Sequence, residues 1–124
     1  MEFRENPAIY IQIADWVCEQ ILLNKWKIGE KIISIRDLAI DLEVNPNTVQ
    51  RAYDFLQQRE IISNRRGIGY FVDNHAMDLI LDFRRDQFME NELPLVMKNM
   101  YLLKIDPKEI KSRFEEFVRK HFKK

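Results

Sequence analysis

The chain has 124 residues, 46% hydrophobic and 32% charged, which suits one globular domain with a modest extension and a core that needs no disulfide or metal. Its one cysteine, Cys18, excludes an internal disulfide; no apolar run nears the roughly 20 residues of a membrane span, and the Met-Glu-Phe-Arg-Glu start lacks the apolar stretch of a secretory signal, so a cytoplasmic protein is expected. Lys+Arg and Asp+Glu each number 20, so attraction for a polyanion must come from a few placed arginines rather than from bulk charge.

Asn6-Pro7 opens the first helix: a capping residue, then a proline whose missing N–H costs nothing at the first helical position. Ile9, Ile13, Trp16, Val17 and Ile21 recur at helical spacing and predict a helix over residues 7–23. The next stretch breaks at Gly29, and Lys31-Ile32-Ile33 is expected to form a very short strand. Ser34 begins a second helix, with Asp37 replacing the usual Glu of a capping box, and Ile35, Leu38, Ala39 and Leu42 make a one-sided apolar stripe. A helix this short needs neighbours to hold it. Asn45-Pro46 repeats the cap-and-proline signal, and Val49, Ala52, Tyr53 and Leu56 stripe a third helix over residues 46–59. Two β-prone runs, residues 61–64 and 70–72, flank a basic tip whose Gly67 and Gly69 allow a hairpin turn. Asp73-Asn74 ends this region. From His75 onward Met77, Ile80, Leu81 and Phe88 fall at helical spacing, Pro94 interrupts, and residues 95–105 are again apolar. Asp106-Pro107-Lys108-Glu109 starts a last helix with Ile110, Phe114, Phe117 and Val118 on one face.

Two short amphipathic helices followed by a basic hairpin form a winged helix-turn-helix pattern. The expected fold is mainly α with a small β-hairpin: an N-terminal winged helix-turn-helix, residues 1–74, and a C-terminal helical dimerisation region, residues 75–124. The second helix braces the third, leaving Asn47, Thr48, Gln50 and Arg51 outward near the N-terminus of the third. Asn and Gln match adenine edges, Arg matches guanine, and Thr meets a thymine methyl or a phosphate, while the helix N-terminus itself attracts phosphate. Arg65 and Arg66 sit where a wing enters a minor groove or grips the backbone. Taken singly, these residues make a solvated helix face and a basic turn, and Asn45 is first of all a cap. Their order along the chain points to double-stranded DNA. A winged helix used for protein contact would need no polar recognition face, although zero net charge suits it. For an enzyme, no acid–base pair, nucleophile with its histidine, or phosphate loop is visible. His75 and His121 lack ligand spacing, so neither a metal nor any other cofactor is expected. Trp16, Trp26, Tyr53 and Phe55 are expected in the core or at its rim.

The runs at residues 7–13, 28–31, 34–39, 44–53 and 65–72 closely resemble the GntR family, and Asn45-Pro46-Asn47-Thr48-Val49 with the short tail resembles its YtrA subfamily. Glu92-Leu93-Pro94 and Leu103-Lys104-Ile105-Asp106 are similar to subfamily members too. The resemblance implies that Arg36 contacts DNA from the start of the second helix and that Asn45, Asn47, Thr48 and Arg51 line the recognition surface. It further implies that Gly67, with Arg66, approaches the minor groove. Two residues depart from the pattern. Ile33 stands where the family usually has Pro, and Gln50 stands where some subfamilies carry Arg, so operator preference does not transfer. Larger members carry an effector or metal domain, for which residues 75–124 are too few. Phe83, Phe88, Leu95, Met100, Leu103, Phe114, Phe117 and Phe122 exceed what a few helices hide alone, so a homodimer is expected. The expectation is a repressor on a palindromic operator, with a small-molecule effector left open.

Overall fold

Helix α1 (Ile9–Leu22) buries Ile13, Ala14, Val17, Cys18 and Ile21, close to the stripe its spacing announced. The computed structural model describes residues 8–123, so the Asn6-Pro7 cap expected for this helix lies outside the described residues. Helix α2 (Ile35–Leu42) begins at Ser34, whose Oγ accepts from the Asp37 amide at 3.1 Å. It ends at Glu43, which turns the chain in the left-handed region at φ 55°. Helix α3 (Pro46–Gln58) buries Val49, Ala52, Tyr53 and Leu56, the four positions its spacing selected.

Strands β1 (Ile62–Arg65) and β2 (Gly69–Val72) pair antiparallel, with Ile62 opposite Val72 and Arg65 opposite Gly69. The very short strand expected near residue 32 is a single bridge between Lys31 and Phe71. It is reinforced by the Ile32 amide donating to Tyr70 O at 2.9 Å and the Val72 amide donating to Glu30 O at 3.0 Å. The segment before α2 thereby lies along the outer edge of the hairpin, which would otherwise present unpaired backbone groups.

One core cluster joins these elements. Buried residues of α1, α2 and α3 meet Ile32, Ile61, Ile62 and Val72, together with Ala76 and Ile80 of helix α4 (Ala76–Gln87). Each fully buried Leu or Ile contributes about 1.5–3 kcal/mol relative to exposure. The chain divides into two compact units, one ending at Phe83 and the other beginning at Arg84. Phe83, expected in the dimerisation surface, packs instead against the first unit's core, with the Arg59 guanidinium 5.0 Å from its ring centroid.

In the second unit a π turn (Phe88–Glu92) leads into helix α5 (Leu93–Leu102). Pro94 does not interrupt a helix but sits in the first turn of α5, where its missing N–H is tolerated. Helix α6 (Pro107–His121) is capped by Asp106, whose Oδ1 accepts from the Lys108 amide at 2.9 Å. Neither α5 nor α6 buries a residue. The architecture is the expected one, mainly helical with a small antiparallel hairpin.

Candidate nucleic-acid interface

The N-terminus of α3 is built by its own sequence. The Asn47 amide donates to Asn45 Oδ1 at 2.8 Å, and Pro46 fills the first helical position, where no N–H is needed. The apolar stripe then fixes the phase of the helix. Asn47, Gln50 and Arg51 are exposed, whereas Thr48 is half-buried rather than fully outward. Gln50 Nε2 donates to Asp54 Oδ1 at 2.9 Å, so its amide is already oriented one turn along the helix.

Arg51 holds a position that spacing alone does not reveal. Its guanidinium carbon lies 4.1 Å from the ring centroid of Tyr10, which in turn meets Phe55 edge-on at 6.4 Å between centroids. Stacking of this kind on an exposed site contributes about 0.5–1 kcal/mol and leaves the N–H edge of the guanidinium available. Tyr10 belongs to α1, so no pattern within α3 could have named it. An aromatic residue early in α1 was the only signal in the sequence.

At the start of α2, Arg36 is exposed two residues after the Ser34 cap. The approach to that cap is held by Tyr53, whose hydroxyl donates to Ile33 O at 2.7 Å. Burial pushes the Tyr53 phenol far above its ordinary range, and Tyr70, whose ring centroid lies 5.0 Å away, adds to the shift. The departure from the usual Pro at Ile33 is therefore accommodated: the backbone there is tied to the core through a phenol. Tyr53 was expected as core, and its role as a tether needed the structure.

The wing turns at Arg66-Gly67, with Gly67 at φ 78° and open space where a side chain would stand. The Ile68 amide donates to Arg65 O at 2.9 Å and closes the turn. Arg65 lies back along the hairpin, its guanidinium carbon 4.0 Å from the Phe71 ring centroid, while Arg66 and Gly67 are exposed at the tip. Gly69, at φ 140°, lets Lys31 cross close by: a methyl built there would stand 2.8 Å from Lys31 Cε.

The structure thus brings Asn45, Asn47, Gln50 and Arg51 onto the exposed N-terminal half of one helix, and sets Arg66 and Gly67 at the tip of the hairpin. Arg36, Arg51, Arg65 and Arg66 are exposed, and among the described residues none of them forms an ion pair. Unpaired arginines near a helix N-terminus suit phosphate and base-edge contact without first breaking internal bonds. No group of three or more His, Cys, Asp or Glu among the described residues could hold a metal ion.

A model of the family described as bacterial regulatory proteins, gntR family, matches residues 9–72. The chain is 32% identical over 117 residues to the uncharacterized HTH-type transcriptional regulator YhcF of Bacillus subtilis, covering 94% of this chain and 95% of that one. It is 32% identical over 98 residues to the HTH-type transcriptional repressor YtrA of the same organism, covering 79% and 75%. Among solved structures, a GntR family transcriptional regulator from Listeria monocytogenes matches with a TM-score of 0.71 at 32% identity, covering 92% of this chain and 98% of that one.

Proposed function

Because the chain belongs to the GntR family, and is therefore a DNA-binding transcriptional regulator rather than an enzyme, we propose that it acts as a homodimeric repressor of the YtrA type on a two-fold symmetric operator. In this reading residues 1–74 hold the DNA-contacting parts, and the pairing surface lies in residues 75–124, in the part from Arg84 onward. Arg51, with Asn47 and Gln50, reads base edges. Asn45, Thr48 and Arg36 position the helix on the phosphates, and Arg65, Arg66 and Gly67 carry the wing. The place of action is the cytoplasm; among the described residues no helix is long and apolar enough to cross a membrane.

The observation that carries the dimer is the second unit's surface. Tyr101 is 85% exposed, Leu103 69%, Phe114 64% and Phe117 52%, in a unit where α5 and α6 bury nothing. So many large apolar side chains left exposed in one small unit are what a subunit interface covers. Two-fold pairing would present two copies of α3 to successive major-groove faces, about 34–36 Å apart along the duplex. Repression is supported by the YtrA relative, itself a transcriptional repressor, and by the simplest physical mode, occlusion of a promoter.

Footprinting on the protein's own promoter region tests this. Two protected half-sites related by a dyad, with a complex mass of two chains per duplex, is the expected result. A single asymmetric footprint from one chain would contradict it. A winged helix that serves only protein contact would give no sequence-dependent footprint at all.

A further inference from the structure

A cavity of about 400 Å³ opens in the first unit, and none of the residues assigned to DNA lines it. Its apolar wall is formed by Trp16 and Trp26, whose rings meet edge-to-face at 5.4 Å and 88°, and by Ile32 and Leu38. Its charged lining is Lys25, Lys27 and Lys31 against Glu30 and Asp41, an excess of one positive charge. All five are exposed, and among the described residues none of them is engaged in an ion pair. Trp16 remains 38% exposed, although it stands beside the buried Val17 on the helix that anchors the core. An aromatic wall left open to water, under a lip of unpaired lysines, fits a ligand with a flat apolar body and one anionic group.

We propose that this cavity is an effector site for a small aryl carboxylate. The ring lies against Trp16 and Trp26, and the carboxylate faces Lys25, Lys27 and Lys31. The cavity touches Ile32 and Ile33, and both are wired to the DNA-facing parts. The Ile32 amide donates to Tyr70 O on β2, and Ile33 O accepts from Tyr53 immediately before the Ser34 cap of α2. A ligand held there contacts the segment that sets both the wing and the Arg36 end of α2, so it changes operator affinity by favouring one setting of that segment. The regulatory consequence rests on the DNA-binding reading; the binding site itself does not.

Trp16 and Trp26 are the chain's two tryptophans, so intrinsic tryptophan emission reports on this cavity. The full chain would be titrated with phenylacetate and, at constant ionic strength, with phenethylamine as the cationic counterpart of the same ring. The expected result is a saturable emission change with phenylacetate at an affinity about tenfold or more above that for the amine. Lys27→Gln should weaken phenylacetate binding and Asp41→Asn should strengthen it, each about threefold or more; both residues are exposed, so the fold is retained. The absence of a saturable change, equal response to acid and amine, or indifference to both substitutions would overturn the site. Saturating phenylacetate should also move the midpoint of operator binding by about threefold or more. Binding without that movement would overturn the effector role. A chain that bound phenylacetate but no DNA sequence would sink the regulator reading and leave the ligand site standing.

Discussion

Tyr53→Phe removes one oxygen and leaves the ring. The lost bond is 2.7 Å long and partly buried, and its acceptor, Ile33 O, is left without that donor. Removing one partner of such a bond costs about 1–2 kcal/mol. For a domain of this size that corresponds to a fall in Tm of about 4–8 °C per kcal/mol. The edge contact of residue 53 with Tyr70 at 5.0 Å survives, so packing changes little. The pH dependence supplies a second, sharper signature. Burial raises the folded-state pKa of Tyr53, with Tyr70 adding to it. In the unfolded chain the phenol ionises near its ordinary value of about 10, while in the fold it stays neutral. This contribution to stability is therefore complete below about pH 10, declines above it by about 1.4 kcal/mol per unit, and is lost as pH rises through the folded pKa. The phenylalanine variant lacks that slope. Urea melts of both proteins, at one protein concentration and in steps from about pH 8 to 11, should show a stability gap that narrows above about pH 10. A gap that stays constant over that range, or a variant as stable as the parent at neutral pH, would refute the tether.

Three further perturbations separate fold from function. Asn45→Ala leaves the Asn47 amide uncapped and should cost about 1 kcal/mol in thermal melts, with a parallel loss of operator affinity. Gly67→Val forces a β-branched residue to φ 78° at the wing tip, in open space. It should cost about 1–2 kcal/mol locally and weaken DNA binding in gel shifts while circular dichroism stays native. Phe114→Asp places a charge on the exposed face of α6, and sedimentation should show monomers that bind the operator about a hundredfold more weakly or worse.

Much of the first unit was legible because local signals and core burial agree there. Ser34 and Asn45, like Asp106 in the second unit, cap the helices they announce, and the stripe on α3 sets which residues face outward. Elsewhere the deciding physics is non-local. Glu43 adopts a left-handed conformation without being Gly or Asn, because the tight connection between α2 and α3 demands it. Lys31 joins the hairpin edge through one bridge, too little to leave an alternating pattern in the sequence. Periodicity places Ile80 on a helix and apolar character marks Phe83, but neither shows which surface a side chain meets; both turn to the first unit's core. Pro94 reads in the sequence as an interruption for a similar reason, since a proline that breaks one helix also suits the first turn of the next, where it stands. In the interface, residue types at the right phase named Asn47, Gln50 and Arg51, whereas the platform under Arg51 comes from Tyr10, some forty positions earlier.

In the proposed function α3 reads DNA sequence and Arg51 does part of the reading. This is tested most directly by gel shifts on the protein's own promoter fragment and on a scrambled duplex across a salt series, comparing the parent with Arg51→Ala. Tight, sequence-specific binding by the parent is expected, with a loss of about 1–3 kcal/mol for the variant on the cognate fragment and little change on the scrambled one. An equal loss on both fragments, with the salt slope lowered by about one, would reassign Arg51 to a phosphate. Parent binding that is weak, equal for both duplexes and abolished by moderate salt would mean that α3 reads no DNA sequence.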